Sequence, residues 1–201
     1  MTLLYVFWAI LGVALVTIGA ISQLKGSRGK WGERLVRSIL FFLPSEYRVF
    51  NDVRICCNGK KCQIDHLVVS PYGIFVIETK SYLGLTTGHS RDRMWRRRVL
   101  GMNYFTRSPL FQNQYHLDVL CQYLGFVSGF RSDWMKSVVV FGFGSIVRIL
   151  DKPENVMTFF SLYRYVRRHR KILLTDSQLG NVSTYLKKKS VYQNANRVLY
   201  N

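Results

Sequence analysis

Residues 2–24 (TLLYVFWAILGVALVTIGAISQL) run without a single charge. About 20 apolar residues suffice for a helix to cross the hydrocarbon of a bilayer, so one N-terminal transmembrane anchor is expected here. Lys25, Arg28 and Lys30 follow at once and, by the positive-inside rule, hold the C-terminal side in the cytoplasm. A cleaved signal peptide is the rival, given the small residues at Ala20-Ile21-Ser22, but its apolar region would be shorter and preceded by a basic residue. Beyond the anchor the pattern becomes that of a folded domain. Leu35, Val36, Ile39, Leu40 and Phe42 recur at helical spacing over 31–42, and Pro44-Ser45 ends that helix. Residues 47–57 read as a strand, closed by Asn58-Gly59, a strong hairpin turn.

The centre of the chain is 63–80, QIDHLVVSPYGIFVIETK. Two β-branched, aromatic-rich runs flank Ser70-Pro71-Tyr72-Gly73, a composition suited to a type I turn, so the stretch is a β-hairpin. Residues 81–88 then read as a loop and short strand, and 109–124 as a helix with Leu110, Gln114, Leu117, Leu120, Cys121 and Leu124 at its spacing. The apolar run 137–143 suits a buried strand. A last strand over 156–160, a basic helix over 161–174 and a helix from Ser177 to Lys189 complete the pattern. It predicts an α/β sandwich around a small mixed sheet flanked by helices, divided as anchor 1–24, basic linker 25–30, one domain 31–189 and a polar, loose tail 190–201.

With the hairpin turn centred between Pro71 and Tyr72, Asp65 lies across from Glu78, with Cβ atoms roughly 4.5–5.5 Å apart, and Lys80 projects from the same face. Facing carboxylates repel unless one is protonated or a cation intervenes, and Mg²⁺ is held by one or two such groups with water and phosphate oxygens. A neighbouring ammonium could orient or deprotonate an attacking water. The plainer arrangement is a cross-strand ion pair of Asp65 with Lys80, leaving Glu78 in solvent; a bulge at Gly73 would separate the acids altogether. Glu33, in the first turn of its helix, suits the helix dipole there.

Lys plus Arg number 29 against 11 Asp plus Glu, a net charge of +18. That excess points to a polyanion, nucleic acid or anionic lipid. Arg91, Arg93, Arg96, Arg97 and Arg98 surround Trp95, an arrangement suited to phosphate contacts with a base packed on the indole. A solvated charge run is the bland reading, and anionic headgroups are the competing polyanion. Gln112 and His116 stand four apart on one helix face; His116 suits phosphate contact or proton transfer. Cys56, Cys57, Cys62 and Cys121 lack the paired spacing of a zinc site and read as thiols. Gly142-x-Gly144 is followed by neither the Lys-Ser/Thr of a phosphate loop nor the glycine of a nucleophile elbow.

Gly29-Lys30-Trp31-Gly32-Glu33, Asn51-Asp52-Val53, Ile64-Asp65-His66, the run from Gly73 to Lys80, and Gln112-Asn113-x-x-His116 together resemble the NERD (nuclease-related) domain of the PD-(D/E)xK nuclease superfamily. The resemblance is close over 29–124 and looser to about 186; one departure is Ser108 before Pro109, where Asn is expected. It implies a restriction-endonuclease-like fold and a Mg²⁺- or Mn²⁺-dependent nuclease acting on DNA, with RNA also open as substrate. Asp65 and Glu78, with the Thr79 carbonyl, would ligate the metal. Lys80 would position or activate water and stabilise phosphorane charge, and Glu33 and Gln112 would complete the site. The expectation is a membrane-anchored nuclease. The alternative is a non-catalytic, membrane-tethered protein that binds nucleic acid or anionic lipid on the same fold.

Overall fold

A computed structural model describes residues 29–198 apart from 126 and 128, with side chains to residue 187. The expected anchor at 2–24 lies outside the described residues. Within them, no helix is long and apolar enough to cross a membrane.

The expected single small sheet is two. Strands β1 (Arg48–Cys57), β2 (Lys60–Ser70), β3 (Gly73–Lys80), β7 (Met135–Phe141) and β9 (Val156–Thr158) form one sheet in the order β1-β2-β3-β7-β9. The first three are antiparallel neighbours, while β3, β7 and β9 run parallel. Strands β4 (Gly84–Gly88), β5 (Met94–Val99), β6 (Met102–Arg107) and β8 (Ser145–Ile149) form the second, in the order β6-β5-β4-β8. Both are mixed sheets, with α1 (29–41), α2 (Pro109–Leu124), α3 (Phe159–Arg168) and α4 (Asp176–Val198) around them.

The first sheet is buried on both faces, so its central strands are continuously apolar rather than alternating. On one side Val36 and Leu40 of α1 and Leu162 and Val166 of α3 pack on Val68, Phe75, Ile77, Val138 and Val140. On the other, Val119, Leu120 and Leu124 of α2 and Leu179, Val182 and Leu186 of α4 pack on Leu67, Val69, Ile74 and Val76. The second sheet is pinned to the first through Trp95, which stacks on Phe141 with ring centroids 6.4 Å apart.

The central hairpin keeps the register read from its turn. Ser70 pairs with Gly73 and His66 with Ile77, so no bulge at Gly73 shifts it. Gly73 has φ +132°, and a Cβ there would come within 2.8 Å of the Trp134 carbonyl, a conformation and approach that glycine alone tolerates easily. Asn58-Gly59 likewise makes the tight turn expected, with φ of 50° and 75°.

Several boundaries differ from the sequence reading. Strands β6 and β8 were not expected: both carry little apolar periodicity, and pairing with β5 and β4 makes them strands. Helix α3 begins at Phe159 and ends at Arg168, short of the expected 174. The α4 backbone continues to Val198, through residues expected to be loose. Phe42, counted in the apolar face of α1, is 74% exposed.

Candidate functional site

One break in the first sheet places the acidic residues. The β1–β2 ladder pairs Asn51 with His66 and Val53 with Ile64 but skips Asp52 and Asp65 between them. Asp52 sits in the left-handed region at φ 54°, which Asp tolerates better than most residues. Across the break the alternation shifts by one: Phe50 and Val53, and Ile64 and Leu67, all pack into the same layer. Asp65 is thereby released from strict pairing, and its Oδ2 accepts the Thr79 N–H at 2.8 Å.

Along β3 the residues facing α2 are Ile74, Val76, Glu78 and Lys80, by the period of two. Lys80 Nζ lies 2.5 Å from Glu78 Oε1 and donates to Gln112 Oε1 at 2.9 Å. Gln112 Nε2 donates to Glu78 Oε1 at 2.7 Å. His116, one turn further along α2, brings Nδ1 within 3.3 Å of Glu78 Oε2 without forming a hydrogen bond. The glutamine thus uses both ends of its amide, one to orient the ammonium and the other the carboxylate. Asn113 holds α2 against the sheet: its Nδ2 donates to Val76 O, Ser137 Oγ and Val138 O at 2.8–3.1 Å. The plainer arrangement, an Asp65–Lys80 pair with Glu78 in solvent, is overturned. Glu78 is buried, and it is the partner of Lys80.

Glu33 comes from α1 on the opposite side. Gly32 packs so tightly on the ends of β3 and β7 that a Cβ there would collide with Ser81 Oγ, while a Cβ at Gly142 would lie 3.6 Å from the Gly32 Cα. This close approach brings Glu33 within electrostatic reach of Asp52, Glu78 and Lys80.

The charges are unevenly balanced. Burial pushes the Asp65 carboxyl up to about 7, and the Glu78 carboxylate adds to the rise. Burial also raises Glu78, but His116 and Lys80 outweigh it and hold Glu78 below its ordinary value. Burial alone would lower Lys80; the Glu78 carboxylate reverses this and raises it, so Lys80 is an ammonium at neutral pH. Glu33 is raised by burial and then by Asp52 and Glu78. His66, buried and next to the Arg37 charge, falls to about 4 and is neutral, its Nδ1 donating to Asn51 Oδ1 at 2.7 Å. An ionised Asp65 is therefore poorly compensated, and its carboxyl keeps its proton up to about pH 7.

The donor atoms are all oxygens, which suits a hard divalent cation. Asp65 with its raised carboxyl, and the buried Glu78 Oε2 with no hydrogen-bond partner, form the face that would take it. Among the described residues, no three His, Cys, Asp or Glu side chains stand close enough together to form a ready metal cage.

The arginine stretch does not surround an exposed indole. Trp95 is fully buried and its Nε1 donates to the His89 carbonyl, so no base can stack on it. The apolar periodicity of β5 was masked by its arginines, and the second sheet that covers Trp95 was not anticipated. Alternation divides the run: Arg96 and Arg98 point out, whereas Arg97 turns to the Trp95 side and lies over the Tyr82 ring at 4.2 Å. Arg91 and Arg93 precede the strand, Arg93 lying 5.9 Å from the Phe111 ring. His116, grouped with these arginines by chemistry, instead lines the carboxylate site. Its position four residues after Gln112 was the available signal. Ser108, buried, places its carbonyl to accept the Gln112 N–H at 3.1 Å, so the departure at this position still starts α2 where Gln112 reaches Glu78.

A family model described as nuclease-related domain matches residues 28–142. An uncharacterized protein of Bacillus anthracis is 34% identical over 95 residues, which cover 46% of this chain and 45% of that protein. The match thus spans less than half the length of that relative.

Proposed function

Because the chain belongs to the nuclease-related domain family, we propose that it hydrolyses phosphodiester bonds in DNA at the Asp65–Glu78–Lys80 site, with a divalent cation. The observation that carries this reading is the convergence of Lys80, Gln112 and Glu78 beside an Asp65 whose charge lacks compensation. Asp65, Glu78 and the Thr79 carbonyl would hold Mg²⁺ or Mn²⁺, which would supply an acidified water and a polarised phosphate. Lys80 stays protonated, so its part is to hold the phosphate and absorb the charge that develops on it, rather than to take the proton from water. Gln112 fixes the ammonium, and Glu33, at the α1 side, adds to the negative field that favours a cation. The strand arrangement supports the same reading, as a restriction-endonuclease-like core would require: parallel β3 and β7 extend an antiparallel hairpin, and the acids and lysine sit where β2 and β3 part. Residues 2–24 and the basic linker would tether the domain at the cytoplasmic face of a membrane.

A second reading is a tethered module that binds nucleic acid or anionic lipid without cleaving. What favours it is Glu78, whose Oε1 already accepts from Lys80 and Gln112. The two separate in one assay of the full-length chain in neutral detergent, with linear, supercoiled and single-stranded DNA in Mg²⁺, Mn²⁺ or EDTA. Cleavage that needs metal and disappears in both Asp65→Ala and Lys80→Met supports the nuclease. Binding without cleavage in any metal sinks it.

A further inference from the structure

The outer face of the second sheet is exposed on β5, β6 and β8 and half-buried along β4. Register places Asn103, Phe105 and Arg107 of β6 beside Arg98, Arg96 and Met94 of β5. Arg96 and Arg98 lie beside Thr87 and Leu85 of β4, which lie beside Arg148 and Ile146 of β8. The opposite face is the one that buries Trp95 and Thr86. On the open face Arg96, Arg98, Arg107 and Arg148 are all exposed, none of them in an ion pair among the described residues, and no position of the face is acidic. Phe105 is 71% exposed in their midst, directly across from Arg96.

We propose that this face binds single-stranded nucleic acid, with Phe105 as the base-stacking side chain and Arg96, Arg98, Arg107 and Arg148 as phosphate contacts. The charge pattern is complementary to a polyanion, and an exposed aromatic among unpaired arginines adds what a lipid headgroup does not need, a flat surface for a base. A duplex keeps its bases stacked inside and cannot use Phe105. Only Ser81, Tyr82 and Leu83 separate Lys80 from the start of β4, a chain reach of about 14 Å at most. The start of β4 therefore lies near the carboxylate site, and a strand bound along the sheet toward that end would be led to it. In that direction the inference rests on the nuclease reading, but binding itself does not.

The test uses the full-length chain in neutral detergent with EDTA, so that binding is measured with no cleavage. Fluorescence anisotropy would follow a labelled 20-mer of oligothymidylate, an unlabelled duplex of equal charge, and vesicles of phosphatidylcholine with phosphatidylglycerol as competitors. Phe105→Ala should weaken oligothymidylate binding about tenfold or more while leaving the dependence on salt unchanged. Arg96→Gln and Arg148→Gln should each reduce the slope of log affinity against log salt by about 0.7. Melting curves serve as the fold control, and the two arginine variants carry the test should Phe105→Ala not fold. Unchanged affinity in Phe105→Ala, or tighter binding of duplex or vesicles than of the single strand, overturns the proposal. Retained binding without metal-dependent cleavage would sink the nuclease reading and leave this one standing.

Discussion

Replacing Lys80 with Met removes an ammonium that stands 2.5 Å from Glu78 Oε1 and 2.9 Å from Gln112 Oε1. The two charged side chains are only 16% and 3% exposed, so water does little to screen them. Removing one member of a buried pair costs about 3–5 kcal/mol, because the other charge stays behind uncompensated. Two features pull this case to the low end. Gln112 Nε2 keeps its 2.7 Å bond to Glu78, and the Met side chain fills most of the space of the lysine stem. The expected loss is about 3 kcal/mol at neutral pH. Glu78→Gln removes the opposite charge, and the double variant should cost less than the two singles together, with a coupling of about 1.5–3 kcal/mol, the range of hydrogen bonds to charged groups. Glu78 has its carboxyl below the ordinary 4.5, so the stabilisation is present above that value and lost as pH falls through the folded one. Lys80 is raised above 10.5, so its contribution is lost only as pH rises beyond that. The cost of Lys80→Met should therefore shrink as pH falls below the ordinary carboxylate value of 4.5 and Glu78 takes up its proton. Urea unfolding of the four full-length proteins, followed by tryptophan fluorescence, measures all of this. A coupling below about 0.5 kcal/mol, with a Lys80→Met cost independent of pH, would refute the buried pair.

Asp65 binds a proton in the folded state up to about pH 7 that the unfolded chain releases near 3.8, so stability should fall as pH rises between these values, by up to roughly 4 kcal/mol at 1.36 kcal/mol per unit; Asp65→Asn should flatten that slope in urea titrations. The rise in melting temperature on adding Mg²⁺ should grow as pH passes 7 and vanish in Asp65→Asn; a shift that persists in the variant places the ion elsewhere. Trp95→Ala should cost about 3–5 kcal/mol as a core cavity, seen in urea, whereas a base-stacking Trp95 would lose affinity without losing stability. Asn113→Leu leaves the Val76 and Val138 carbonyls without their side-chain donor and should cost about 1–3 kcal/mol; an unchanged urea midpoint would mean that α2 is held by packing alone.

How much of this was legible in the chain differs by scale. The turn residues Pro71 and Gly73 set the hairpin register from Ser70–Gly73 to His66–Ile77, because local turn geometry and a period of two suffice for it; the ladder ends there, and Asp65 turns to the Thr79 N–H instead of pairing with Glu78. The helical spacing of Gln112 and His116 put both on one face, and both face Glu78. Beyond that local range the sequence was silent. That Lys80 pairs with Glu78 rather than Asp65 depends on α2 docking over β3, which Asn113 secures from a distance of 37 residues in the chain. That Trp95 is core and Phe105 is surface depends on a second sheet whose strands β6 and β8 have no periodicity strong enough to announce them. Spacing along one element is written in the residues; which side of it meets the core is decided only when a partner element covers it, since burial is a property of the assembled layers.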